Sequence, residues 1–161
     1  MPAYHFTLHA YATWHPDHPE GWHQHGESTP LLPNQKLAEH RRQKQRWPAA
    51  EFVEPHHPAL AEMATDICRR RDWRCHGGAI TQTHIHLAAS WHQSDLEPLH
   101  VQATLKRLLA WKIAQLTAIP GRRWFSDGGF PKPIADLAHL YYLLAEYFPN
   151  QGGHAWREAK R

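Results

Sequence analysis

Cysteine is scarce: Cys68 and Cys75 are the only two in 161 residues. That excludes a disulfide framework. With no second matching pair it also makes a zinc finger a poor reading, so reduced thiols are expected. No run approaches the ~20 apolar residues that a membrane-spanning helix needs. The opening Met1-Pro2-Ala3-Tyr4-His5 lacks the charged and apolar regions of a secretory signal. Internal repeats are absent as well. These absences predict a cytoplasmic protein with no membrane partner. The length suits one domain over 1–161, with a long excursion at about 13–50.

What is abundant is histidine, at 16 residues, with 8 tryptophans and 13 prolines. The formal net charge is +3 and the pI near 9.0. The bases are clustered, at Arg41-Arg42-x-Lys44-x-Arg46, Arg69-Arg70-Arg71, Lys106-Arg107, Arg122-Arg123 and Arg157-x-x-Lys160-Arg161. Clusters matter more than net charge for holding phosphates, although any one of them reads more readily as a solvated helix face.

Residues 3–12 alternate loosely and predict a strand. Residues 13–50 carry little periodicity, apart from a short helix around 35–45. Leu60, Met63, Ala64, Ile67 and Cys68 predict a helix over 57–71, with Pro58 in its first turn. Two strands follow, at 73–81 and 83–91. Ser94-Asp95-Leu96-Glu97 reads as a capping box opening a helix that runs to about Thr117, with Leu105, Leu108, Leu109, Ile113 and Leu116 as its stripe. Residues 122–133 read as a hairpin turning at Asp127-Gly128-Gly129. A last helix starts near Ile134, with Leu137, Leu140, Tyr141 and Leu144 on its apolar side. This order predicts an α+β fold, an antiparallel sheet with helices packed on one face.

The most informative segment is Thr83-His84-Ile85-His86-Leu87. On a strand, residues two apart share a face, with Cα atoms about 6.6 Å apart, which lets two imidazoles close on one cation. Chance matters here, since so many histidines also produce His23-Gln24-His25, in a polar stretch rich in glycine and proline. A second group ends the last helix, at Glu146-Tyr147-Phe148-Pro149-Asn150-Gln151. Tyrosine offers a phenol nucleophile and glutamine a neutral oxygen ligand. If the helix persists, Tyr147 and Gln151 share a side. Pro149 lies between them and interrupts such a helix, which leaves Asn150 as an alternative oxygen ligand. Tyr141 and Tyr142 are rival phenols, read as core or rim aromatics.

His-hydrophobe-His on a strand, a basic helix, Trp124-Phe125-x-x-Gly128-Gly129 and Tyr147-Phe148-x-Asn150-Gln151 together resemble the single-tyrosine HUH transposases, a superfamily that includes insertion-sequence and REP-associated tyrosine transposases. Tyr4-His5-Phe6-Thr7-Leu8 resembles their first strand. The likeness covers roughly 3–12 and 57–152. It implies a ferredoxin-like or RRM-like sheet, and cleavage and rejoining of single-stranded, hairpin-containing DNA through a 5′-phosphotyrosine. It further implies Tyr147 as nucleophile, His84, His86 and Gln151 as metal ligands, and Mg²⁺ or Mn²⁺ as the ion, in a monomer or homodimer. Thr83 stands where the family often has Asn or Asp. Lys106, Arg107, Lys112, Arg122 and Arg123 are candidate DNA contacts, with Trp124 either a stacking platform or a core residue.

Two other readings compete. A domesticated nucleic-acid-binding module would keep the sheet and lose catalysis; retention of both histidines, Tyr147 and Gln151 speaks against it. A 2H-type phosphoesterase would pair His5-Phe6-Thr7 with His92-Gln93-Ser94 and need no metal.

Overall fold

The computed structural model describes residues 1–24 and 29–158. His25 and the Lys160-Arg161 end of the last basic cluster lie outside them. Five strands form one antiparallel sheet: β1 (Ala3–His9), β2 (Trp73–Ile80), β3 (His84–Trp91), β4 (Lys132–Pro133) and β5 (His154–Arg157). The spatial order is β4-β1-β3-β2-β5. Four helices accompany them: α1 (Gln35–Gln43), α2 (His57–Arg70), α3 (Pro98–Thr117) and α4 (Leu137–Tyr142). With α1 as an extra helix after β1, the order through β4 is β-α-β-β-α-β, the ferredoxin-like arrangement that the resemblance implies.

Period-two alternation divides the sheet. Phe6 and Leu8 on β1 and Ile85, Leu87 and Ala89 on β3 point to one face and are buried beneath α2 and α3. Leu60, Ala64 and Ile67 from α2 meet Leu105, Leu109 and Ile113 from α3 in that core. Each large side chain so buried contributes roughly 1.5–3 kcal/mol against leaving it exposed. The intervening residues, His5, Thr7 and His9 on β1 and His84 and His86 on β3, face the other way. At one end of that second face Ala79 and Ala88 pack under Leu143 and Phe148.

Several local expectations are corrected. The Ser94 capping box does not form: α3 begins at Pro98, and Glu97 precedes it in extended conformation without a side-chain cap bond. Proline is preorganised for a first helical turn and disfavours helical geometry in the residue before it, which fixes this boundary. The 122–133 hairpin is also absent. The segment runs along β1 instead: Tyr11 N donates to Trp124 O, Ser126 N donates to His9 O, and Lys132–Pro133 pairs with His5 and Tyr4. The open edge of β1 and the anchoring of the loop carbonyls from α3 outweigh the local turn preference.

The last helix starts later than Ile134, at Leu137, where Asp136 Oδ1 accepts from His139 N at 2.8 Å. Leu137 and Tyr141 are 72% and 66% exposed, so they do not form the docking side. The side that docks carries Leu140, Leu143, Leu144, Tyr147 and Phe148. Phe148 sets that face, since its ring is buried beside His5 and His86, with centroids 5.5 and 6.0 Å away.

β5 has no strong sequence signal. It pairs with β2 beyond a bulge at His76–Gly77, where Gly77 takes φ 147°. That backbone geometry is open to glycine and strained for other residues.

Candidate metal centre and nucleophile on the sheet face

Antiparallel pairing of β1 with β3 sets Thr7 opposite His86 and His9 opposite His84. The face therefore carries two ranks of polar side chains where the sequence analysis singled out one. His86 is 3% exposed and His5 7%. His5 Nε2 and His86 Nδ1 are 2.9 Å apart, and Thr7 Oγ1 is 3.2 Å from the same nitrogen. His84 Nδ1 lies 2.9 Å from Thr83 Oγ1 and 3.2 Å from Thr81 Oγ1. Both rings are thus held by Nδ1, and their centroids are 4.6 Å apart. The period-two run His5-x-Thr7-x-His9 was the signal that would have revealed the second rank.

The C-terminal segment supplies the remaining groups. Between Leu143 and Tyr147 the chain makes a π-helical turn, followed by a 3₁₀ turn over Pro149–Gln151. Phe148 N donates to Leu143 O, five residues back, at 2.8 Å. Pro149 has no N–H and would clash with the carbonyl of the preceding turn in a regular helix; the wider turn accommodates it. Gln151 then folds back, with Nε2 donating to Tyr147 O at 3.1 Å. Its Oε1 is directed at His86 Nε2, 3.2 Å away. Asn150 is exposed. Of the two oxygen-ligand candidates, Gln151 is the one brought to the imidazoles.

Tyr147 stands beside the same rings. Its centroid is 5.3 Å from that of His86 and 5.6 Å from that of His5, both edge-to-face. Tyr142 is 6.3 Å from Tyr147 on the outer side. The long excursion forms a flank: the Trp14 ring is 5.1 Å from that of His9 and stacks on His18 at 3.6 Å.

Burial dominates the electrostatics. Desolvation pulls His86 down to about 3, helped by its neighbours His84 and His5. It pulls His5 and His9 down to about 4. His84 is lowered for the same reason. These rings are neutral at pH 7 and can offer lone pairs. The Tyr147 phenol is pushed up by burial, with Tyr142 and Glu20 adding to the effect.

Among the described residues no three His, Cys, Asp or Glu side chains converge as a metal-holding group. The convergent set is two imidazoles and a carboxamide oxygen. Adjacent ligands at ~2.1–2.2 Å from an octahedral ion stand about 3 Å apart. The 3.2 Å between His86 Nε2 and Gln151 Oε1 is close to that spacing. Two nitrogens and one neutral oxygen suit Mn²⁺ better than the harder Mg²⁺, and leave positions for substrate oxygens.

The basic residues are placed less favourably. α3 packs on the sheet face opposite the histidines. Lys106 donates from Nζ to Ser126 O at 2.8 Å and Gly128 O at 2.5 Å, with burial lowering it to about 8. Arg122 donates to Pro48 O and Ala49 O and lies over Trp124. Both side chains are engaged in ties to backbone carbonyls. Trp124 is 4% exposed and belongs to the core. Arg123 pairs with Asp127 and lies over Tyr11. Arg107 is exposed and Lys112 half-buried on α3. His92, the second half expected of a 2H enzyme, is exposed beyond the end of β3, while His5 is buried against His86.

Comparisons with protein families, curated proteins and solved structures returned no match. Among the described residues no helix is long and apolar enough to cross a membrane.

Proposed function

We propose that this protein cleaves and rejoins single-stranded DNA with the aid of a divalent cation, using Tyr147 as nucleophile. The observation that carries the reading is the meeting of His84, His86, Gln151 and Tyr147 on one sheet face, from segments 65 residues apart. This grouping agrees with the resemblance to single-tyrosine HUH transposases.

His84 and His86 would hold the cation through Nε2, and Gln151 through Oε1. Bound there, Mn²⁺ or Mg²⁺ would draw charge from the phosphate oxygens and help the phenol lose its proton. The Tyr147 oxygen forms a bond to phosphorus as the bond to the 3′ oxygen breaks. The products are a 5′-phosphotyrosine and a free 3′-hydroxyl, which takes up a proton. The ester keeps the bond energy, so a 3′-hydroxyl attacking it reseals the strand without ATP. Thr81, Thr83, His5 and Thr7 hold the imidazoles in place, and Phe148 keeps water from the floor of the site.

The test is incubation with labelled, hairpin-bearing single strands and Mn²⁺, followed by denaturing electrophoresis. A covalent protein–DNA adduct is expected from the wild-type chain and none from Tyr147→Phe. An adduct that persists in Tyr147→Phe overturns the assignment.

A further inference from the structure

A neutral imidazole has one donor and one acceptor nitrogen, and the partners of His86 determine which is which. Gln151 Nε2 donates to Tyr147 O, so its Oε1 is the atom facing His86 Nε2. An oxygen acceptor there requires Nε2 of His86 to carry the proton. Nδ1 of His86 is then an acceptor, and the nitrogen facing it, His5 Nε2 at 2.9 Å, must be protonated too. A cation held by His86 reverses this. Its lone pair has to come from Nε2, which moves the ring proton to Nδ1. His5 Nε2 must then be bare to accept it, and His5 carries its own proton on Nδ1. Each ring keeps one proton in both arrangements, so no charge is gained or lost.

We infer that His5 is a positioning residue whose tautomer is coupled to cation binding at His86, and that the paired rings act as a two-position lock on the metal site. This rests on the function proposed above. Thr7 Oγ1, 3.2 Å from His86 Nδ1, fits either arrangement because a hydroxyl both donates and accepts. His5 fits only one arrangement at a time, and it is buried where no solvent partner replaces it. The ordering matters because an imidazole whose second nitrogen is held by an acceptor is a better-oriented and more basic ligand.

The test is long-range ¹H–¹⁵N spectroscopy of the imidazoles in the full chain, with and without saturating Mg²⁺. His5 signals are assigned by their loss in His5→Gln. His5 is expected as the Nε2–H tautomer in the cation-free protein and the Nδ1–H tautomer in the loaded protein. A parallel titration measures Mn²⁺ affinity. His5→Phe, which removes the acceptor, is expected to weaken binding about tenfold, whereas His5→Gln, whose amide oxygen accepts from Nδ1–H, should restore most of it. If the cation binds and perturbs His84 and His86 while His5 keeps one tautomer throughout, this inference fails and the proposed function stands. If neither cation binds the wild-type chain, the metal-dependent function itself fails.

Discussion

His86 Nε2 and Gln151 Oε1 lie 3.2 Å apart, although 65 residues separate them along the chain. The contact exists because Gln151 turns back on Tyr147 O and because Pro149 is accommodated by a π-helical turn. It places a neutral oxygen beside two imidazoles that burial keeps uncharged.

Removing that oxygen should weaken the proposed metal site. Gln151→Ala is expected to lower Mn²⁺ affinity by at least about tenfold in calorimetry, while Gln151→Glu, which adds a negative charge, should raise it. Unchanged affinity in Gln151→Ala would remove Gln151 from the ligand set.

Acid should unfold the protein early. His5 and His86 have folded values of about 4 and about 3, against an ordinary 6.5. Between those limits the unfolded chain binds more protons than the folded one, so stability rises with pH. The stabilisation is fully present above about pH 6.5 and is lost as pH falls toward 3–4. By pH 5 the loss is on the order of 2 kcal/mol per histidine. Urea-unfolding midpoints should therefore fall steeply between pH 7 and pH 5, and less steeply in His5→Phe. A flat profile over that range would contradict the burial of these rings.

Adduct formation should accelerate with alkali. The Tyr147 phenol is raised by burial, and below its pKa the phenolate fraction grows about tenfold per pH unit. Single-turnover rates with Mn²⁺ are expected to climb between pH 7 and pH 9. A rate independent of pH would mean that phenol ionisation does not limit the step.

Lys106 and Arg107 are neighbours with different tasks. Lys106→Met removes two carbonyl contacts that tie the Asp127-Gly128-Gly129 loop to α3. It should cost about 1–3 kcal/mol in denaturant unfolding. Arg107 is exposed, and Arg107→Gln should leave stability within about 0.5 kcal/mol. The opposite ranking would mean that the Lys106 ties contribute nothing.

The return from Gln151 to β5 is sterically tight. A Cβ on Gly153 would sit 1.9 Å from Ile80 O. Gly153→Ala should therefore push β5 from β2, destabilise the fold by roughly 1–3 kcal/mol and loosen Gln151, which Mn²⁺ titration would register. Wild-type affinity in this variant would show that β5 pairing does not position the ligand.

The sequence alone determined which residues of β1 and β3 face the core. Alternation put Phe6, Leu8, Ile85 and Leu87 on one side and His84 and His86 on the other, because side chains on a strand have period two. The helices at 57–71 and ending near Thr117 were legible for the analogous reason, a sustained apolar stripe, although the second starts at Pro98 and not at the Ser94 box. Tyr147 and Gln151 were legible as chemistry but not as geometry, since their placement depends on a π-helical turn and on where Phe148 docks. Strand register, which brings His5 and Thr7 to the back of His86, arises from pairing across 79 to 81 residues and has no local signature. The same holds for the 122–133 segment and for β5. Their partners are free sheet edges far along the chain, and only the folded sheet offers those edges.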